Sequence, residues 1–305
     1  MKIDPVLSVF LKEDALKRFL RYVQIDTRSD PESDACPSSV GQLELARLLA
    51  AELTAMGIDE SAVDPNGYVY ARVPAAPGAD GPPMTFCAHL DTSPSESGEG
   101  VRPVLHERYD GGRIHYPDAP DLILSPADCP ELLQFAGETI ITAAGKTLLG
   151  ADDKAGLAAV MAALAALRRF SHLVHPELRI VFTPDEEIGR GADRIDMDRL
   201  GRLGYTLDGG TMGELQAECF DAREARLVFY GRNIHPGYAK DRMINAAAIA
   251  GRFVAALPEC ETPEHTAKRE GFWHLTELCG DENTARVTMI LREFEAARNR
   301  ARMDL

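Results

Sequence analysis

The longest helical pattern of the chain lies near its centre, where apolar residues recur every three or four positions. Between Lys154 and Arg169 the recurring residues are Leu157, Val160, Met161, Leu164 and Leu167. This spacing places them on one face of an α-helix. Two adjacent carboxylates, Asp152 and Asp153, lie at its start, where unpaired backbone N–H groups favour negative charge. Taken alone, the pair fits an N-cap aspartate with a solvated neighbour.

Short apolar segments typical of buried strands surround this helix. They are Tyr68–Val73, Met84–Ala88, Leu178–Thr183 and Gly204–Leu207. Amphipathic patterns predict helices at Glu13–Val23 and from Ser39 to Gly57, and Ser39 with Gln42 fits a capping box. The polar segment Ser93–Ala136 shows little periodicity and is predicted to be a long loop. Strands that alternate with helices predict an α/β sheet, in which ligands bind beyond the carboxyl ends of the strands.

The pattern changes after Gly213, where apolar and polar residues alternate as in half-exposed strands. The predicted elements are the strands Glu224–Tyr230, Gly271–Cys279 and Ala285–Arg292, and the helices Ile244–Leu257 and Phe294–Met303. None of these strands has an acidic residue at its carboxyl-terminal position. We therefore expect two domains: residues 1–212 with the α/β sheet, and residues 213–305 forming a smaller α+β domain.

Composition and charge restrict the partners of the chain. Its net charge of −15 argues against nucleic acid, because phosphate binding needs a basic surface. Nor is any stretch apolar and long enough to span a membrane. The six cysteines are scattered, without a C-x-x-C pair, which predicts reduced thiols and a cytoplasmic location.

Residues with metal-binding chemistry follow the apolar segments. They are His89 with Asp91, Asp152, Glu186 with Glu187, and Asp208. Imidazole and carboxylate are the ligands of hydrolytic zinc sites and of related manganese or cobalt sites. In such sites metals polarise the substrate carbonyl and activate water, and a nearby carboxylate takes the proton. Asp91 could hold the second nitrogen of His89 and fix its tautomer.

Each of these residues, taken alone, also fits a structural role. His89 fits a core histidine, Glu186 with Glu187 a solvated helix start, and Asp208 an ordinary turn. Cys87 fits a buried thiol better than a ligand. The residues themselves therefore leave open a metal-dependent hydrolase or an acidic ion-binding protein.

Five long motifs narrow this choice. They are Phe86–Pro94, Gly145–Gly156, Phe182–Ala192, Tyr205–Gly210 and Asn233–Lys240. In this order they resemble the signatures of the peptidase T family, the tripeptide aminopeptidases among the di-zinc aminoacylase and carboxypeptidase-G-like metallopeptidases. The resemblance implies a zinc-exopeptidase-like mixed sheet flanked by helices, with a smaller α+β lid that forms a homodimer.

The resemblance also implies a set of zinc ligands. His89, Asp152 and Asp208 would hold one zinc ion, and Asp152 would bridge to a second ion that Glu187 also holds. A cis peptide bond between Asp152 and Asp153 is implied as well.

Catalytic roles follow from the same resemblance. Glu186 would be the general base, and Asp91 would orient His89. His235, in the lid, would reach the active site of the other subunit and stabilise the tetrahedral intermediate. Without the resemblance, His235 would be a surface turn residue before Pro236.

The family pattern continues past Leu305 and there includes an arginine for the substrate carboxylate and a histidine for the second zinc. We therefore expect a C-terminally shortened chain that binds about one zinc ion and hydrolyses tripeptides negligibly. His265 or His274 would have to replace the missing ligand in a fully active chain.

These features predict a metallo-aminopeptidase that releases the N-terminal residue of a tripeptide with zinc-activated water. One alternative is a dipeptidase or amide deacylase of the same superfamily. Another is a catalytically dead metal-binding or dimerising protein.

Overall fold

The computed structural model describes residues 3–210 and 213–304. These residues belong to two compact units, of which the first extends to Met212 and the second begins at Gly213. Each unit has its own hydrophobic core. In the described part of the chain, no helix has the length and apolar character needed to cross a membrane.

Three α-helices pack on one face of the sheet of the first unit: α1 (Pro5–Tyr22), α2 (Val40–Ala55) and α3 (Ala151–Arg169). Helix α1 begins two turns before the predicted start. The carboxylate of Asp4 accepts the N–H groups of Val6 and Leu7, at 2.8 and 3.1 Å, and Pro5 occupies the first turn, where its missing N–H costs nothing.

The strands of the first unit are β1 (Ser61–Val63), β2 (Val69–Val73), β3 (Met84–His89), β4 (Val104–His106), β5 (Ile114–Tyr116), β6 (Ala119–Leu124), β7 (Ile140–Thr142), β8 (Leu178–Thr183) and β9 (Leu203–Thr206). Five of them form a sheet in the order β1-β2-β8-β3-β9. Strands β8, β3 and β9 run parallel, whereas β2 is antiparallel to both β1 and β8. The predicted mixed sheet is therefore confirmed.

The register of the parallel strands determines the position of His89, the first of the predicted metal ligands. His89 at the end of β3 pairs with Thr183 at the end of β8. On one face of the sheet, Val69, Ile180 and Phe182 pack with the helices in the main core. Tyr68, Tyr70 and Val181 form a smaller cluster on the other face. Strands β3 and β8 are covered on both faces and carry His89 and Thr183 at their carboxyl ends, whereas the edge strand β9 is exposed.

The loop predicted at Ser93–Ala136 is wrong in part. This segment contains β4, β5, β6 and a short 3₁₀ helix at Pro130–Phe135. Strand β5 pairs with β6, and β4 pairs with β7. Strands β4 and β5 have only three residues each, which is too short to show a hydrophobic period, and β6 has six residues but exposes the central four.

The predicted capping box is also wrong. Ser39 does occupy the N-cap position of α2, but its side chain accepts no cap hydrogen bond. The amide of Gln42 donates to the hydroxyls of Ser38 and Ser39 and to the carboxylate of Asp185. A tertiary contact therefore replaces the local cap.

The second unit is a three-stranded antiparallel sheet with helices. Its elements are β10 (Asp221–Tyr230), α4 (Ala246–Ala256), β11 (Phe272–Gly280), β12 (Thr284–Glu293) and α5 (Ala296–Met303). The strand order is β10-β12-β11. Val287, Met289 and Leu291 of β12 point into a core with α4, Thr288 and Ile290 between them are half-buried, and the flanking Arg286 and Arg292 are exposed. The predicted alternation of apolar and polar residues therefore reflects a sheet with one face covered by α4.

Candidate metal centre

Three strand ends and one helix start bring the predicted residues of the first unit together. His89 ends β3 and Asp91 follows it. Asp152 lies in the first turn of α3, Glu186 and Glu187 form a 3₁₀ turn after β8, and Asp208 follows β9. The parallel order of β8, β3 and β9 places their carboxyl ends at one edge of the sheet.

The imidazole of His89 lies between three carboxylates. Its Nε2 is 2.9 Å from Asp152 Oδ1 and 3.8 Å from Asp208 Oδ1. Its Nδ1 is 3.3 Å from Asp91 Oδ1. The side chain of His89 is only 3 % exposed, yet Nε2 reaches the partly exposed carboxylates. A purely structural core histidine would not need this arrangement.

Two groups of ligand atoms are close enough to share a metal ion. One consists of His89, Asp152 and Glu187, and the other of His89, Asp153 and Asp208; within each group all ligand atoms lie within 4.8 Å of one another. Bonds of about 2.0–2.2 Å from nitrogen and oxygen to zinc are compatible with this spacing. The second group contains Asp153 where the family resemblance implied Asp152.

Asp153 has a different environment from Asp152. Its carboxylate accepts the N–H of His89 at 3.0 Å and the N–H of Gly156 at 3.1 Å. Asp153 is buried, whereas the side chain of Asp152 is 60 % exposed. The Asp152–Asp153 peptide bond is cis, which confirms that prediction. Asp152 therefore faces the cluster, and Asp153 supports the backbone of β3 and α3.

The electrostatics of the cluster favour an added cation. Burial, and then the charge of Asp152, raise the pKa of Glu187. Burial also raises the pKa of Asp208 and, despite His89, that of Asp153 to about 8. For His89, burial lowers the pKa, but Asp91, Asp153 and Asp208 together outweigh it and raise the pKa to about 10.

No lysine or arginine forms an ion pair with Asp152, Glu187 or Asp208 within the part of the chain that the structure describes, and the imidazole of His89 lies within 4 Å of Asp152 and Asp208. A divalent cation would relieve the repulsion among them and would keep them ionised. The donor set and its charge therefore fit a bound metal.

Asp91 connects the imidazole to the Glu186–Glu187 turn. It is fully buried, and its two oxygens accept the N–H groups of Glu186 at 2.9 Å and Glu187 at 3.0 Å. The same carboxylate lies beside His89 Nδ1. One side chain thus orients both the predicted metal ligand and the backbone of the predicted base.

Sequence analysis missed several buried polar residues near this centre. Asp185, Gln42 and Ser38 form a hydrogen-bonded network behind the Glu186–Glu187 turn. Lys154 is buried and donates to the carbonyl of Ile25 at 2.7 Å, and burial lowers its pKa to about 8. Only the adjacency of Asp185 to the glutamate pair could have drawn attention to this network.

Two other candidates lie apart from the ligand groups. Cys87 is half-buried and belongs to neither ligand group. Burial, and then the charge of Asp153, raise the pKa of its thiol to about 11. His235 belongs to the second unit, where its ring is exposed and its Nδ1 accepts the N–H of Gly237 at 3.2 Å. Its predicted role in a neighbouring subunit remains a prediction.

Comparison with known proteins identifies related sequences. Residues 145–241 match the peptidase family M20/M25/M40, and residues 220–299 match a peptidase dimerisation domain. The chain is 47% identical over 293 residues to a peptidase T of Geobacillus thermodenitrificans, covering 96% of this chain and 71% of the relative. It is 46% identical over 286 residues to a peptidase T of Listeria welshimeri, covering 93% and 70%.

Solved structures show the same fold at lower identity. An aminopeptidase PepT of Bacillus cereus superposes with a TM-score of 0.65 at 22% identity, over 96% of this chain and 69% of that one. A dinuclear metal-binding M20 peptidase of Bacillus subtilis superposes with a TM-score of 0.54 at 13% identity, over 96% and 67%.

Proposed function

This chain belongs to the peptidase T family of M20 metallopeptidases, and on that premise we propose that it releases the N-terminal residue of tripeptides by metal-dependent hydrolysis. The observation that carries the proposal is the position of Glu186. It lies beside a cluster of imidazole and carboxylate ligands, and its backbone N–H is bonded to the same Asp91 that orients His89.

We assign the metal ligands as follows. Following the family pattern rather than the two geometric groups, His89, Asp152 and Asp208 would hold one ion, and Asp152 with Glu187 would hold a second. Imidazole with carboxylates is a common donor set for catalytic zinc, so zinc is the proposed metal. The first ion has three protein ligands among these residues and the second has two carboxylates, so we expect the first ion to bind more tightly.

The reaction divides between the metal and the protein groups. When bound, the metal ions would polarise the peptide carbonyl and lower the pKa of a water molecule. Glu186 accepts the proton of that water and later returns it to the leaving amine. Asp91, whose Oδ1 is 3.3 Å from Nδ1 of His89, would keep the imidazole proton on Nδ1 and leave Nε2 to bind the metal.

We further propose that the first unit is catalytic and that the second unit, which matches a dimerisation domain, joins two chains in a homodimer. In that dimer, His235 would stabilise the tetrahedral intermediate in the active site of the other subunit. A cytoplasmic location remains a prediction from the scattered cysteines.

The test compares substrates and metal states of one sample. The zinc-loaded chain is assayed with a free tripeptide, an N-acetylated tripeptide and a dipeptide, and the assay is repeated after chelation and after zinc is restored. We expect hydrolysis of the free tripeptide alone, lost on chelation and regained with zinc. Negligible hydrolysis would instead agree with the expectation drawn from the family pattern past Leu305 and would count against this proposal. Hydrolysis of the N-acetylated peptide would indicate a deacylase instead, and unchanged activity after complete metal removal would contradict the proposal.

A further inference from the structure

The turn that carries Glu186 and Glu187 is held from two sides. Asp185 begins the turn with φ +57° and ψ 30°, a left-handed conformation that non-glycine residues rarely adopt. Its N–H donates to Gln42 Oε1 at 3.1 Å. The next two N–H groups donate to Asp91. Three consecutive amides are therefore fixed by side chains of other elements, and this fixes where both glutamate side chains start.

The carboxylate of Asp185 is buried among neutral partners. It is 1% exposed, and it accepts the N–H of Ser38 at 2.9 Å, the hydroxyl of Ser38, and the amide of Gln42 at 2.8 Å. In residues 3–210 and 213–304 no cation forms a salt bridge with it. Burying a carboxylate in this way is costly even when it is hydrogen-bonded. Since β8 already ends at Thr183, the sheet itself does not require this charge.

The amide of Gln42 is matched to this position. Its oxygen accepts from the Asp185 backbone while its nitrogen donates to the Asp185 carboxylate. Gln42 is fully buried in α2, one turn before the apolar Leu45 and Ala46, which are buried as well. A glutamate could accept but not donate, and methionine could do neither.

We propose that Gln42 is a positioning residue, which through Asp185 fixes the backbone from which the general base Glu186 and the metal ligand Glu187 project. Helix α2 thereby acts on the reaction without contacting substrate or metal. This inference rests on the proposed function of Glu186 and Glu187.

The test uses a variant that breaks the pair and a second change that restores it. Gln42→Glu keeps the acceptor but places two carboxylates against each other. Adding Asp185→Asn restores a donor and an acceptor, because asparagine tolerates the left-handed conformation and its oxygen can still accept from Ser38. The matched control is Tyr70→Phe, which removes a buried hydroxyl that accepts the N–H of Asp196 at 2.7 Å on the other face of the sheet.

Two measurements report positioning independently of turnover. Hydrogen exchange is followed in peptides covering residues 184–190, and the dissociation constant for Co²⁺ is obtained by titration. In Gln42→Glu we expect exchange in 184–190 to be about tenfold faster and Co²⁺ to bind about tenfold more weakly, the effect typical of residues that orient ligands. The double variant should reverse both changes. Tyr70→Phe should lower the melting temperature while leaving both values as in the parent chain.

Parent-like exchange and Co²⁺ affinity in Gln42→Glu would overturn the proposal, as would a double variant as impaired as the single one. With a tripeptide as substrate, kcat should fall in Gln42→Glu while KM stays within about twofold, because a positioning residue does not bind substrate. An unchanged kcat would also overturn it. A parent chain that binds Co²⁺ but hydrolyses no tripeptide would count against the proposed function alone, and the exchange and Co²⁺ results would still decide the role of Gln42.

Discussion

The two units of this chain bury different kinds of residues. The first unit buries four charged side chains near one edge of its sheet: Asp91, Asp153, Lys154 and Asp185. The second unit fills its core with apolar strand residues and alanines of α4. Burying charge weakens a fold unless each group is paired. In the first unit, hydrogen bonds stabilise these groups around the candidate metal centre, whereas the second unit buries one charged residue among its described residues, Glu293, which pairs with Arg302 at 3.4 Å.

This contrast predicts that conservative changes near the cluster of the first unit alter turnover or metal binding, whereas those in the core of the second unit alter its free energy of unfolding. The strongest case is Glu186→Gln. It keeps size and backbone bonds but removes the base, so turnover should fall by at least ~10²-fold while bound metal stays the same. Turnover and metal content are measured on one sample.

The neighbouring residue supplies the control for that experiment. Glu187→Gln should lower metal content as well as turnover, because Glu187 is a proposed ligand and Glu186 is not. Loss of metal in Glu186→Gln would show that the two roles were assigned wrongly.

The counterpart in the second unit is Leu291→Ala. Leu291 is fully buried in β12, and its truncation should destabilise that unit by ~2–5 kcal/mol. Trp273 is the only tryptophan of the chain and lies in the same core, so its fluorescence reports the unfolding of this unit. The affinity for Co²⁺ should not change.

Leu278→Ala is the matched change at a half-exposed position of β11, where Leu278 is 48% exposed. It should have a much smaller effect on the unfolding transition in urea, followed by the fluorescence of Trp273 for both variants. If Leu291→Ala abolished metal binding, the core of the second unit would also determine metal binding, and the contrast between the two units would be wrong.

A smaller effect is expected for Asp91→Asn. The amide can accept one of the two N–H groups but cannot balance a positive charge near His89, so metal affinity should fall about 10–100-fold. Asp64→Asn is the control, because Asp64 also accepts two backbone N–H groups, those of Asn66 and Tyr68, at 2.9 Å each. Equal losses of metal affinity in both variants would contradict a specific role for Asp91.

The pattern of the sequence predicted much of this contrast. The apolar segments before His89 and Glu186 gave the parallel strands, and alternation in Ala285–Arg292 gave the half-covered sheet. The sequence pattern could not reveal the hydrogen-bonded pair Gln42 and Asp185, because these residues are 143 positions apart. Gln42 instead suggested a local cap, because a short polar motif carries no sign of a distant partner. The early start of α1 was missed because Val6 and Val9 are exposed and extend no buried face.

The smallest expected effect lies on the surface of the first unit. Hydrogen bonds from Arg72 and Arg179, at 2.7 and 2.9 Å, lower the pKa of Glu177 to about 2. A depressed pKa contributes stability above the unfolded value near ~4.5, and this contribution is lost as the pH falls through the folded value. Glu177→Gln should therefore lower the melting temperature at pH 7 by about 2 °C or less, because exposed ion pairs are weak.

At pH 2 the parent chain and the Glu177→Gln variant should melt at nearly the same temperature. Calorimetry across this range checks the sign. A difference that grew as the pH fell would contradict the assigned direction of the pKa shift.

The central claim is that the strand-end cluster of the first unit binds the catalytic metal. Anomalous diffraction at the zinc absorption edge, from crystals of the zinc-loaded chain, tests it most directly. We predict a strong peak about 2.0–2.2 Å from His89 Nε2 and from carboxylate oxygens of Asp152 and Asp208. A well-occupied zinc peak at His265 or His274, with none beside His89, would contradict the account.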